Sequence, residues 1–168
     1  MTAVLAKARS IAWIGLTVIG LFLLMAPIMD ILSDRSHGLP TDHAPVFTKL
    51  AGASFNTVKG SAPGAAHYIT TLEYGYALHE LTFALLFLVI VLVPFRRGER
   101  WAWFACWFVL IAAIGYTATI ADHDSTLLAR SLIADIAVPV LLLLSARAFL
   151  GAATEGKRQG AAPGGVGQ

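Results

Sequence analysis

The chain has 168 residues, of which 57% are hydrophobic and only 13% are charged, and its mean hydropathy is +0.72. These values lie outside the range of soluble globular domains and indicate a membrane protein. A single cysteine excludes a disulfide framework and a thiolate metal cluster. The formal net charge of +2 becomes informative only when the charges are placed along the chain.

Four apolar stretches are each long enough to cross a bilayer, which needs about 20 residues. They lie at 11–31, 68–95, 101–121 and 127–150, within one domain of residues 1–150. We interpret the first as a retained helix, because a signal peptide has a shorter apolar run of roughly 7–15 residues and a small-residue cleavage site. The sequence therefore predicts an all-α fold, a four-transmembrane-helix up-down bundle.

Two segments fall outside the predicted spans. Residues 32–67 form a long loop rich in Gly, Pro, Ser and Ala. Part of it has rough helical spacing and predicts a short helix on the membrane surface, with apolar residues Val46, Phe47, Leu50, Ala51 and Phe55. Residues 151–168 have no apolar period and predict a disordered tail.

The distribution of charge orients the predicted bundle. The side with both termini and the 96–100 turn carries eight basic and two acidic residues, whereas the other side carries four basic and eight acidic residues. The positive-inside rule therefore predicts that both termini are cytoplasmic in a plasma (inner) membrane. Trp13, Trp101 and Trp103 lie at the cytoplasmic helix ends, as interfacial anchors would. All histidines and tyrosines fall in the outer half, where we expect the chemistry.

The second span carries ionisable residues at a depth where the bilayer is apolar. If the helix enters the membrane near Ile69, Glu80 lies roughly 16 Å along it, near the middle of a hydrocarbon core about 30 Å thick. A charge there costs at least ~2.5 kcal/mol, so such residues normally face the bundle interior or a wet cavity. Glu73, Tyr76 and Glu80 share one helix face, and His79 lies one step round it.

Other spans carry further candidates. Asp135 precedes Pro139 by four residues, so the missing proline N–H frees the Asp135 carbonyl as a ligand. Asp30 is predicted to close the first span at its outer end. The sequence thus predicts an outward-facing ligand-binding pocket formed by Glu73, Tyr76, His79, Glu80, Asp135, Arg130 and Asp30. The alternative is that Arg130 pairs with Glu73 or Asp135 and that the polar network only sets the helix register.

The loop histidines form a weaker pattern. His37 and His43 are six residues apart, Asp42 is adjacent to His43, and His123 lies between two acids. Imidazole with carboxylate suits zinc, copper or iron, but the spacing matches no specific zinc pattern. The metal and any cofactor therefore stay unassigned.

Three functions remain open from the sequence. The first is a small polytopic membrane protein whose pocket binds a proton, a cation or a small ligand. The second is an accessory or scaffold subunit of a larger membrane complex. The third is a membrane enzyme acting on a lipid or quinone, with His79 and Glu80 as acid and base. As partners we expect the lipid bilayer, with a membrane protein or a second copy of the chain as further candidates, and no nucleic acid.

One turn resembles a known group of proteins. The sequence RRGERWAW, from Arg96 to Trp103, resembles the corresponding turn of small four-helix bacterial inner-membrane proteins of uncharacterised function, including DoxX-like ones. The likeness covers the second and third spans, under half of the chain. It implies a bacterial plasma membrane and a four-helix bundle, and it carries over no catalytic residue.

Overall fold

The computed structural model describes residues 2–151, which fold almost entirely into helices and contain no strand. The α-helices of this part of the chain are α1 Thr2–His37, α2 His43–Ala51, α3 Phe55–Ser61, α4 Pro63–Ile90, α5 Arg100–Ala105, α6 Val109–Thr119 and α7 Ser125–Leu150. A π-helical turn, Val91–Phe95, extends α4, and 3-10 turns follow α5 and α6 at Cys106–Phe108 and Ala121–His123. The predicted all-α four-helix fold is confirmed. Beyond Gly151, the predicted tail lies outside the described residues.

Four helical segments are long and apolar enough to cross a membrane. They are Ala3–His37, Pro63–Phe95, Arg100–His123 and Ser125–Leu150. Large apolar side chains are exposed along all four, among them Phe22, Leu86, Ile111 and Leu143. Contiguous apolar surface of this extent is rare on a water-soluble monomer, whereas lipid covers it in a membrane protein. The chain is compatible with a multi-pass membrane protein.

The main packing between the long helices is α1 against α4, α1 against α7, and α6 against α7. We call the end of the bundle with the 96–99 turn the basic end. The opposite end, which holds residues 38–62 and the 121–124 turn, is the loop end. Within the part of the chain that the structure describes, the two ends have different interiors, and the clustered acidic and histidine side chains described below lie at the loop end.

The basic end has a tightly packed apolar core. Leu16, Phe95 and Leu142 have no exposed surface, and the Phe95 ring centroid lies 4.7 Å from that of Phe149. The Trp103 indole N–H donates a hydrogen bond to the Leu142 carbonyl at 2.9 Å. Trp103 is only 7% exposed, so its ring packs in the core.

The first helix continues past its predicted end. Pro27 lies inside α1 and is fully buried, and the helix runs on to His37. Proline inside a helix removes one backbone bond, and neighbouring helices make this tolerable in an apolar bundle. Gly38 ends the helix at φ 82°, a left-handed conformation that favours glycine, and its N–H bonds the Asp34 carbonyl at 2.9 Å. Asp30 therefore lies within α1.

The loop contains two helices instead of the single surface helix expected from its spacing. The Ser54 hydroxyl caps α3 by accepting the Thr57 N–H, and an edge-to-face contact between Phe47 and Phe55 joins α2 to α3. α2 packs on the loop end of the bundle, where Val46 lies in a buried cluster with Ala121. The loop is thus a folded part of the bundle.

Candidate functional site

His43 begins α2 and lies between two of the long helices. The buried residues Leu39 and Pro40 follow α1, and the His43 N–H bonds the Pro40 carbonyl in the turn that starts α2. The His43 side chain is only 8% exposed, although the residue belongs to the predicted loop. α2 then packs against the 3-10 turn Ala121–His123 that follows α6, and the Lys49 ammonium donates to the His123 carbonyl at 3.2 Å.

Both ring nitrogens of His43 have partners. Nδ1 lies 3.2 Å from the Glu73 carboxylate of α4, and Nε2 lies 3.2 Å from the Tyr116 hydroxyl of α6. Glu73 is itself partly covered, with 28% of its side chain exposed. His43 therefore connects α4 to α6 through an imidazole that is largely shielded from solvent.

In this arrangement both ring nitrogens of His43 are hydrogen-bonded whether the imidazole is charged or neutral. Charged His43 donates from Nδ1 to Glu73 and from Nε2 to the Tyr116 oxygen. Neutral His43 keeps the bond from Nδ1 to Glu73, and Nε2 accepts the Tyr116 hydroxyl proton instead. A rotation of one O–H bond therefore accommodates the loss or gain of a proton.

The pKa of His43 is raised above its ordinary value of 6.5. Burial by itself lowers this pKa, because a poorly solvated site disfavours the charged ring. The hydrogen bond and negative charge of Glu73 act in the opposite direction, with smaller contributions from Asp42 and Asp30, and together they outweigh burial. The imidazolium form is thereby favoured over a wider pH range than in a solvated histidine.

Further acidic side chains surround this histidine. Asp30 of α1 and Glu80 of α4 both lie within electrostatic range of His43. The Glu80 carboxyl also lies close to the Tyr76 hydroxyl, one turn earlier on the same helix. We call the whole set the acid–histidine cluster, and its members are Asp30, Asp42, His43, Glu73, Tyr76, Glu80 and Tyr116.

The acid–histidine cluster has more acidic than basic groups. Its four carboxyl groups, together with that of Asp34 near the end of α1, lie within electrostatic range of one imidazole. Arg130 forms an ion pair with Asp42 at 3.8 Å, and both side chains are exposed. An exposed pair of this length contributes little. Close carboxylates in a poorly solvated site repel one another, so the cluster favours uptake of a proton or a cation.

The structure brings together four of the seven predicted pocket residues. Glu73, Tyr76, Glu80 and Asp30 belong to the acid–histidine cluster, and Arg130 lies at its edge. Arg130 pairs with Asp42, and not with Glu73 or Asp135 as in the alternative interpretation of the sequence.

The other two predicted residues make separate contacts. His79 is exposed, and its Nδ1 lies 2.8 Å from the Gly75 carbonyl of its own helix. Asp135 accepts a hydrogen bond from the Thr117 hydroxyl at 2.7 Å, which joins α7 to α6. Its second carboxylate oxygen is buried without a hydrogen-bond partner. Neither residue contacts His43.

Sequence reasoning misses the central residue of the site. The sequence pattern places His43 and Asp42 in a polar loop, and Tyr116 is not among the predicted pocket residues. The available signal is the short apolar pattern after His43, in which Val46 and Phe47 indicate a helix with a buried face. Because α2 packs against the bundle, its first residue, His43, is buried with it.

The described residues contain no group of three or more His, Cys, Asp or Glu side chains arranged to hold a metal ion. His43 uses both nitrogens in protein contacts, so it has no free lone pair for a metal in this arrangement. The chemistry that the geometry supports here is proton exchange. Comparisons with protein-family models, with characterised proteins and with solved structures find no match to this chain. The DoxX-like resemblance of the Arg96–Trp103 turn therefore stays a prediction.

Proposed function

We propose that this chain is a multi-pass membrane protein that binds and releases a proton at the acid–histidine cluster. The observation that carries the proposal is the buried His43, held between Glu73 and Tyr116 so that both of its protonation states are hydrogen-bonded. Excess carboxyl groups around the imidazole supply the negative charge that favours proton uptake.

The apolar basic end favours reversible binding over conduction through the bundle. Leu16, Phe95 and Leu142 leave no polar path through the described part of that end. A proton that enters from the loop end therefore leaves by the same end. Such a site suits a protein that responds to pH, or one that couples protonation to the position of α2.

We further propose that the loop end faces the extracytoplasmic side of a bacterial inner membrane, with both termini in the cytoplasm. The excess of basic residues at the basic end supports this orientation. To test the orientation, the single native cysteine is first removed by Cys106→Ala, and one new cysteine is then introduced at a time. We expect an impermeant thiol reagent applied to intact cells to label Asp122→Cys and not Arg97→Cys. Labelling of Arg97→Cys alone would reverse the orientation.

Nuclear magnetic resonance of ¹⁵N-histidine-labelled protein in nanodiscs tests proton binding directly. His43→Gln identifies the His43 signals, and the ring nitrogen shifts are followed from about pH 5 to about pH 9, the range in which histidine changes charge. We expect a titration centred above the ordinary histidine pKa. A network that only sets helix register would hold one protonation state, so flat shifts across this range would refute the proposal.

A matched pair of variants assigns the effect to the cluster. Glu73→Gln removes the charge beside His43, and burial then lowers its pKa. Glu99→Gln is the same chemical change at the basic end, where the carboxylate contacts the exposed Trp101 indole. We expect the first variant to move the His43 titration to lower pH and the second to leave it unchanged. The accessory-subunit and lipid- or quinone-enzyme hypotheses stay predictions.

A further inference from the structure

A second polar site lies beside the acid–histidine cluster at the loop end. A cavity of about 380 Å³ opens between the end of α1, α3 and the start of α4. This volume is within the range of small-molecule sites, roughly 300–1,000 Å³. The lining residues that matter here are Asp34, Arg35, Lys59 and His67.

Asp34 is the unusual member of this cavity wall. It is only 4% exposed, and neither carboxylate oxygen has a hydrogen-bond partner. A buried carboxylate without donors is costly, and native proteins nearly always satisfy such groups. The carboxylate therefore lacks the donors that a ligand in the cavity would supply.

Basic side chains lie on the same cavity wall. The Lys59 ammonium donates to the His37 carbonyl at 2.9 Å, and the group has further donors beyond this bond. Arg35 is exposed and contacts the Tyr74 hydroxyl at 3.3 Å through one guanidinium nitrogen. His67 is exposed at the start of α4. The cavity thus combines one buried anion with several accessible cationic or neutral donors.

We propose that this cavity binds a primary ammonium group that carries an anionic group a few bonds away. The Asp34 oxygens are enclosed in this structure, so a rotation of the side chain brings them to the ammonium, which donates to them, while the anionic group accepts from Lys59 and Arg35. A simple anion would meet the Asp34 carboxylate, and a simple cation would meet the basic side chains, so a zwitterion fits both. Phosphoethanolamine has this chemistry, either as a lipid headgroup or as a free solute.

The donor requirement separates this ligand from its methylated analogue. Phosphocholine carries the same charges, but its quaternary ammonium has no N–H to donate to Asp34. Binding is measured by calorimetry on the full chain in phosphatidylcholine nanodiscs, with soluble phosphoethanolamine or phosphocholine as the probe. We expect phosphoethanolamine to bind at least about tenfold more tightly, which corresponds to hydrogen bonds to a charged group.

Matched variants locate the site. Asp34→Asn is expected to weaken phosphoethanolamine binding about tenfold, whereas the exposed Asp122→Asn leaves it unchanged. Lys59→Gln is expected to weaken binding about fivefold. Its control is Lys49→Gln, because Lys49 is also exposed and also bonds a backbone carbonyl. If Asp34→Asn does not fold, the comparison of Lys59→Gln with Lys49→Gln tests the proposal.

A second measurement distinguishes a lipid headgroup from a free solute as the ligand. Native mass spectrometry of protein from mixed nanodiscs compares retained phosphatidylethanolamine with retained phosphatidylcholine. Selective retention that is lost in Lys59→Gln identifies a lipid headgroup, whereas binding of the soluble probe alone identifies a free solute. Equal binding of the ethanolamine and choline compounds in both measurements would overturn the proposal. His43 and Glu73 lie within electrostatic range of Asp34, so the pair Lys59→Gln and Lys49→Gln separates this result from the proton titration.

Discussion

The two ends of the bundle are built from the same long helices but differ in what these helices bury. At the basic end, Leu16, Phe95 and Leu142 are fully buried and aromatic rings pack directly on one another. At the loop end, the inserted helix α2 places His43 between α4 and α6, where polar contacts replace apolar ones. Cohesion is thus concentrated at one end and titratable chemistry at the other.

The difference shows how an apolar bundle can hold charged groups. Close apolar packing at the basic end holds the long helices together, so the loop end can contain repelling carboxyl groups without separating them. If the two ends are separable in this way, a substitution at one end should leave the properties of the other unchanged. Four measurements test this separation, from the largest expected effect to the smallest.

The largest effect is expected for Phe95→Ala at the basic end. We expect the free energy of unfolding in detergent to fall by about 3 kcal/mol, at the low end for a buried Phe because lipid or detergent already surrounds the separated helices. Phe108→Ala is the control, since this side chain is 66% exposed. If both variants unfold alike, the basic end is not the cohesive end.

The next effect is expected for Glu73→Gln at the loop end. Below the ordinary histidine pKa the variant leaves a buried imidazolium without its anion, and we expect a loss of about 1.5–3 kcal/mol, the usual value for a hydrogen bond to a charged group. A double-mutant cycle with His43→Gln measures the coupling. Additive losses from the two substitutions would contradict a direct interaction between these side chains.

The pH dependence of stability follows from the raised pKa of His43. The native state binds this proton more tightly than the unfolded state, so the stabilisation is complete below the ordinary pKa of 6.5 and is lost as pH rises through the native pKa. Thermal denaturation of the wild type and His43→Gln should therefore differ most at acidic pH and converge at alkaline pH. A gap that widens with pH would reverse the assignment.

The smallest effect is expected for Trp103→Phe. This change removes the hydrogen bond to the Leu142 carbonyl but keeps an aromatic ring in the core. We expect a loss of about 1 kcal/mol in the free energy of unfolding. The His43 titration should not move. A shift in that titration would show that the two ends are coupled through the helices.

Much of the site can be foreseen from helical spacing within one span. Glu73, Tyr76 and Glu80 share one predicted face because a helix brings residues three, four and seven apart together. Asp30 is also foreseen, although it lies inside α1 instead of at its end. These predictions need only the periodicity of single helices and the cost of charge in an apolar environment.

His79 and Asp135 show where such reasoning stops. His79 occupies the neighbouring position to Glu80, yet it is exposed and bonds its own helix. Asp135 finds a hydroxyl on the adjacent helix, Thr117. Which polar residue meets which depends on helix rotation and on pairwise packing, and hydropathy does not specify either.

The sequence by itself determined the helical class, the number of apolar spans and the asymmetric charge of the two ends, because each depends on composition and local periodicity. Only the tertiary structure decided that the connection between the first two spans folds into the bundle and that His43 meets Glu73 and Tyr116. These two partners lie 30 and 73 positions from His43 along the chain. No local pattern specifies contacts at that separation, since they arise only when helices pack.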